Sequence, residues 1–508
     1  MLRVKLIFLL IIFSGEVASS QQIYFNNRYP FESYNWNSSL SIVECDSSFI
    51  TSGGCGDSLN YFWNKILFRK IDKSGEVEKI EICGDTIARH YSGYPGSLHK
   101  KNDNYIYLAG AKQYYDPIVF NSGYLMALTN DLDTMWTKEF FGDVSYPIDS
   151  SCHFNDMDVC ENGDLIFTGE LYIYHLPSKT ILLRSDSLGN QRWIKYFGSV
   201  GINSGYSVVE TSDHGFAIGC YQFDPENNNS GDPLIIKTDS LGVKQWEKNI
   251  GGPFPDNAAM LSISSDSSIV VGTMYSDSIG GTDPYSRVHI IKVSEDGTIL
   301  WDKKYGDSKV KYNHLRNIRC LDDGNIIACG DRTNDPPHRS GWMMKLASNG
   351  DSLWFRYHDL IHGQNSLNYL YDFVHTEDED FIACGYVIPI APDTGYNDAW
   401  IIRLDSFGCD TPGCQTVNIV EVPDNSYNSL KIFPNPANTE IQIDLPILPN
   451  VGSSLLIYDL FGRKQDEVYI PRNQYQARID ISQYSPGVYI AVLKDENKIL
   501  GRGKFIKR

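Results

Sequence analysis

Residues 356–365 read RYHDLIHGQN and gather His358, Asp359 and His362 within five positions. Imidazole and carboxylate side by side can ligate a metal or relay a proton. Two histidines four apart face the same way on a helix. This stretch reads instead as a strand end running into a loop, with no third ligand nearby. The Asp-Ser-Leu-Gly turns at 186–189 and 239–242 supply one or two carboxylates each. Calcium takes about six to eight oxygens, so these aspartates belong to hairpin turns. No HExxH, CxxC, phosphate-cradling glycine loop or nucleophile elbow is present. Acidic residues recur in so many turns that a glycosidase carboxylate pair cannot be singled out. The sequence assigns no catalytic, metal-binding or cofactor-binding residue and implies no cofactor.

The 508 residues carry 44 Lys+Arg against 63 Asp+Glu, a formal charge of -19 that argues against nucleic acid as a partner. With 42% hydrophobic and 21% charged residues the chain is neither disordered nor an integral membrane protein. Thirty-two Tyr, 23 Phe and 42 Gly favour β-sheet joined by tight turns.

Between the ends the chain repeats itself. ILLRSDSLGNQRWIKYFG (181–198) recurs as LIIKTDSLGVKQWEKNIG (234–251), HIIKVSEDGTILWDKKYG (289–306) and WMMKLASNGDSLWFRYHD (342–359). A second element, as in IRCLDDGNIIACG (318–330), alternates with it and ends at Gly53, Gly110, Gly169, Gly219, Gly272, Gly330 and Gly385. Two hairpins per unit describe a propeller blade, so the expected fold is all-β: a seven-bladed β-propeller over 21–414. Trp136, Trp193, Trp246, Trp301 and Trp354 hold one repeat position and are expected to pack blade on blade. The last unit stops after Phe407-Gly408 without its fourth strand. Residues 23–28 are spaced to supply it and close the ring. The units resemble secreted propeller repeats and, in scaffold alone, those of quinoproteins. Loops 221–233 and 386–399 are the most irregular and the expected carriers of specificity.

Residues 1–20 form a signal peptide: Arg3 and Lys5 precede an apolar run at 6–13, and Ala18-x-Ser20 sets cleavage between Ser20 and Gln21. No other apolar run reaches about 18 residues, so no transmembrane segment is expected in the mature chain. Export permits disulfides, and eleven cysteines leave at least one unpaired. Cys409 and Cys414, in GCDTPGC, are the expected pair. Cys329 and Cys384, in IIACG and FIACG, read as core filling.

After a linker at 415–428 the texture changes. Residues 429–508 read as a small Ig-like β-sandwich of alternating apolar runs. They carry Phe433-Pro434-Asn435-Pro436, Tyr458-Asp459-x-x-Gly462, Pro486-Gly487-Val488-Tyr489 and a basic tail with Lys504, Lys507 and Arg508. This segment resembles the type A C-terminal sorting domain of the type IX secretion system of Bacteroidota. The resemblance implies that secretion machinery as a partner and delivery to the outer cell surface or medium. The expected function is a non-enzymatic binding or adhesion module whose propeller face takes a glycan, protein or other extracellular ligand. A propeller-type polysaccharide hydrolase or lyase is the alternative.

Overall fold

The computed structural model describes residues 24–508 except 32, 35, 57–63, 103–104, 116–118, 142–149, 225–230, 281–282, 335–337, 364, 389–396, 412–413, 415–427, 446–452, 460–463, 472–473 and 496–497. Ser20, Gln21 and the rest of the expected leader lie outside the described residues. The described elements are strands, in two compact units, Met1–Gln415 and Thr416–Arg508.

In the first unit the alternating runs form four-stranded antiparallel sheets in chain order. Ser150–Val159, Leu165–Ile173, Lys179–Ser185 and Gln191–Phe197 make one. Ile202–Glu210, Phe216–Phe223, Gly231–Thr238 and Lys244–Asn249 make the next. A later repeat comprises Lys311–Cys320, Ile326–Asn334, His338–Leu346 and Ser352–His358. The final repeat, Leu367–His375, Phe381–Ile388 and Asp398–Leu404, takes its outer strand from the opposite end of the chain. Asn26–Tyr29 pairs antiparallel with Asp398–Leu404, and the Arg403 N–H donates to the Phe25 carbonyl.

Middle strands are buried on both faces because each sheet packs on its neighbours. Ile166 and Leu182 meet Val208, Phe216 and Ile218 of the following repeat. Val374, Ile382 and Ile401 of the last repeat pack with Ile42, Phe49 and Ile71 of the first, so the succession returns on itself. Cys329 and Cys384 are buried free thiols in these cores.

The recurrent tryptophans are half-buried on outermost strands rather than central in a core. Their rings lie against the turn glycine of the next repeat: Trp136 on Gly189, Trp193 on Gly242, Trp246 on Gly297, Trp301 on Gly350 and Trp354 on Gly408. Each of these glycines has φ between 73° and 87°, a conformation that disfavours a side chain, and an added Cβ would crowd the indole. The Trp246 and Trp301 indole N–H groups donate to the Glu295 and Ser348 carbonyls of those turns, at 2.8 and 3.3 Å. Where the tryptophan is missing, another residue takes the place. Lys79 Nζ donates to the Asp131 carbonyl at 2.6 Å, and Phe25 covers Gly75 (φ 88°). Among the described residues the fully buried indoles are Trp342 and Trp400, on third strands.

Several marker glycines share a second cause. A Cβ on Gly169, Gly330 or Gly385 would lie 1.8–1.9 Å from the carbonyl oxygen of His153, His314 or Tyr369 on the adjacent innermost strand. Just beyond each of those carbonyls the innermost strand bulges, at Asn155, Arg316 and Tyr371. The bulge folds backbone over the glycine and re-aims the extra side chain.

The C-terminal unit has a five-stranded sheet, which includes Ser453–Asp459, Gly487–Asp495 and Lys498–Lys507, and a three-stranded sheet of Lys431–Phe433, Glu440–Asp444 and Gln476–Asp480. Ile441, Ile443, Leu455, Ile457, Ile479, Leu493 and Phe505 form its core. Its first described strand, Asn428–Ser429, pairs in parallel with Gly501 and Arg502.

Candidate functional site

In each repeat one end of the sheet carries the connections from first to second and from third to fourth strand. The latter are uniform tight turns: 73–76, 130–133, 186–190, 239–243, 294–298 and 347–351. Their aspartates are occupied by the turn backbone, as where Asp186 accepts the Leu188 and Asn190 N–H groups, or by a lysine of the preceding repeat, as where Asp131 accepts from Lys70 and Asp351 from Lys303. The opposite end carries the second-to-third connections, which range from 281–282 to 389–397. Uniform turns serve the scaffold, and variable ones are where recognition is placed.

Near that variable end, the innermost strands bring tyrosine and arginine together. Tyr94 meets Tyr206 edge-on at 5.1 Å. Tyr369 and Tyr371 both stack on Tyr386, at 4.6 and 5.6 Å. The Arg316 guanidinium lies 4.7 Å from the Tyr371 ring, and Arg339 lies 4.9 Å from Tyr369. Tyr94 is within electrostatic reach of Tyr371 and Arg316, so residues from distant repeats share one mouth. Burial holds the Tyr94, Tyr206, Tyr369 and Tyr386 phenols above their ordinary value, keeping them protonated donors.

Asp331, fully buried, anchors the arginines. It accepts from Arg316 Nε at 2.7 Å and Arg339 Nη1 at 3.2 Å. Burial pushes this carboxyl up, but the Arg316 charge, with His314 and Arg339, holds it well below the usual range. His314 is pushed down by burial, and its Nδ1 lies 3.2 Å from Arg316 Nη2 and 3.5 Å from Asp331 Oδ2. One to three residues further along the same strands, Asp372 ties three repeats together. It accepts from Ser41 Oγ, the Ile42 N–H, Asn317 Nδ2 and Arg319 Nη2. Beside the mouth, Tyr91, Tyr94, Gln113, Asn121, His153 and Asn155 line a cleft of about 310 Å³. That is the lower end of the size range of small-ligand sites.

The His358, Asp359 and His362 side chains, which the sequence places at a strand end and loop, do not converge. His358 is buried, with burial pushing its pKa down to about 4, while His362 is exposed. Asp359 instead faces His338 Nε2 at 3.1 Å, and His338 Nδ1 contacts Ser366 Oγ. This resembles a nucleophile–base–carboxylate relay, but Ser366 is fully buried and its hydroxyl donates to the Gly363 carbonyl. No substrate reaches that oxygen. Among the described residues no group of three His, Cys, Asp or Glu side chains is placed to hold a metal. Cys409 and Cys414 form a disulfide. Of loops 221–233 and 386–399, residues 225–230 and 389–396 lie outside the described residues, while 221–223, 231–233, 386–388 and 398–399 belong to strands.

The sequence reading missed the mouth. Its signal was positional: Arg316 and Tyr371 each stand 14 residues before a marker glycine, as Asn155 does before Gly169.

In the C-terminal unit, Asn435 clips the basic tail: its Nδ2 donates to the Lys504 carbonyl, and its Oδ1 accepts the Ile506 N–H. Ala437 bridges to Lys507, and the Arg508 N–H donates to the Ala437 carbonyl. Pro434 and Pro436 flank that clip, exposed, as is Phe433. Tyr489, after Pro486-Gly487-Val488, stacks on Phe505 and donates its hydroxyl to the Ser485 carbonyl. Tyr458 and Asp459 end a strand, and Gly462 lies outside the described residues. Residues 431–508 match the family model of the secretion system C-terminal sorting domain. The C-terminal unit carries a sorting domain. That match supports export by the type IX route, across the outer membrane to the cell surface or beyond.

No curated protein matches the sequence. The chain is similar to a Dyadobacter fermentans protein of unknown function: 11% identity, 75% of this chain and 98% of that one covered, TM-score 0.43. It is also similar to an α-L-arabinofuranosidase mutant of Fusarium graminearum in complex with an iminosugar inhibitor (10%, 75% and 98%, 0.41). A third is a Penicillium chrysogenum α-L-arabinanase complexed with arabinobiose (11%, 63% and 97%, 0.40). Likenesses this distant carry no argument about activity.

Proposed function

We propose that this is an exported binding protein whose first unit, residues 21–414, is a seven-bladed β-propeller closed by its N-terminal strand. In this reading a signal peptide cleaved at Ser20–Gln21 starts the export. The sandwich of 429–508, Ig-like in build, completes it through the type IX machinery. The ligand is an extracellular glycan, held at the mouth of the propeller.

The observation that carries this reading is the convergence of Tyr94, Tyr206, Tyr369, Tyr371 and Tyr386 at the end with variable connections. Tyrosine gives a flat apolar face and a hydrogen-bonding edge, the pairing a sugar ring presents in reverse. The test is a glycan array probed with the mature chain, residues 21–508, alongside a depolymerisation assay on the polysaccharides it binds. Binding without release of fragments, lost in Tyr371→Ala, is the expected result. Release of fragments would favour the hydrolase or lyase, and no binding to any glycan would refute the reading.

A further inference from the structure

We infer that the mouth selects anionic sugars, those carrying a carboxylate or a sulfate ester; the inference rests on the glycan-binding reading above. Two guanidiniums, Arg316 and Arg339, share the single carboxylate of Asp331. Burial disfavours the charged form of His314 beside them, against the pull of Asp331, whose Oδ2 lies 3.5 Å from the His314 Nδ1. One unit of positive charge is therefore left over on this side of the mouth, in a chain whose formal charge is -19. Glu170 acts instead on Tyr206 and His153.

The cationic pair is also held in place. Asp331 is fully buried behind it, the Arg339 Nε donates to Thr333 Oγ1 at 3.1 Å, and both guanidiniums lie on tyrosine rings. Both side chains keep 17% exposure, so the mouth reaches them. Among the described residues, Arg316 Nη1 and Arg339 Nη2 have no hydrogen-bond acceptor. Arginine braced this way loses little freedom on binding and presents donors suited to a planar or tetrahedral anion. Tyr369 and Tyr371, under the same guanidiniums, place a sugar ring next to that anion.

The test is calorimetry on the full mature chain with three probes: trigalacturonate, its methyl ester, and a κ-carrageenan tetrasaccharide, which carries sulfate esters and no carboxylate. At least one acidic probe should bind tenfold or more tighter than the methyl ester, with affinity falling as salt rises. Which acidic probe binds separates carboxylate from sulfate. Arg339→Gln should erase the preference, and Arg339→Lys, which keeps the charge, should retain much of it. If Arg339→Gln fails to fold, the salt dependence of the parent and of Arg339→Lys decides the matter. Equal affinity for ester and acid, or salt-independent binding, overturns the inference while leaving glycan binding standing. Failure of all three probes, and of the neutral glycans of the array, overturns both.

Discussion

Phe25→Ala probes how the first unit is held closed. Phe25 is 8% exposed and lies with Tyr29 among Ile42, Phe49, Ile71 and Ile401, residues from both ends of the repeat series. Its ring occupies over Gly75 the place that a tryptophan takes over the turn glycine elsewhere. Truncating a buried phenylalanine costs about 3–5 kcal/mol. The lower end applies here, because the variant keeps the backbone pairing of Asn26–Tyr29 with Asp398–Leu404. At about 2 cal/mol/K of unfolding entropy per residue, 3 kcal/mol lowers the midpoint of a unit this large by about 3–4 °C. Differential scanning calorimetry of parent and variant reads this directly. Phe25→Trp is the control, since it installs the residue the other repeats use and should melt at or above the parent. Deleting residues 21–30 should cost more than Phe25→Ala, because the edge of the last sheet is then exposed to aggregation. A Phe25→Ala protein melting within a degree of the parent would refute the reasoning, and so would a Phe25→Trp protein that melts well below it.

Three further outcomes are expected. Gly385→Ala places a Cβ 1.8 Å from the Tyr369 carbonyl; it should destabilise by several kcal/mol and, in whatever protein stays folded, weaken ligand binding through the displaced Tyr369 and Tyr371, as thermal melts and titration will show. His358 is held near pKa 4 by burial, with Asp410 opposing and Arg356 reinforcing the shift. The unfolded chain takes up that proton near pH 6.5 and the folded one near 4, so stability present above pH 6.5 falls by about 3 kcal/mol toward pH 4. Urea midpoints across that range should drop less in His358→Gln than in the parent. Removing 431–508 should leave a folded first unit in the periplasm of a native-type host, and surface labelling that still finds it outside would contradict the sorting assignment.

Much of the scaffold was legible because each repeat solves the same packing problem with the same residues. The Trp-to-glycine spacing is written into four copies and the marker glycines into all seven, and the sorting motifs stand in order along one short segment. Phe25 was not legible as the missing tryptophan. Its role exists only once the two ends of the repeat series are side by side, and a phenylalanine does the work of an indole there. The mouth was hidden for a different reason. Arg316 and Tyr371 sit on bulges, where the two-residue alternation of a strand breaks and side-chain direction can no longer be read from sequence parity. Tyr94 and Tyr371 come from repeats far apart in the chain, and no local pattern joins them. The His358–Asp359–His362 cluster drew notice by proximity in sequence alone, and burial of one histidine and exposure of the other separate them.

The central claim, that tyrosines of the mouth bind ligand while repeat tryptophans hold the scaffold, comes down to one comparison. Affinity for a glycan identified on the array and melting temperature are measured together for Tyr371→Ala and Trp301→Ala. The account predicts a crossed pattern: Tyr371→Ala loses tenfold or more in affinity with little change in melting, and Trp301→Ala melts lower with its affinity intact. The reverse pattern, with Trp301→Ala losing binding at an unchanged melting temperature and Tyr371→Ala binding normally, would contradict it and move the ligand to the outer rim of the repeats.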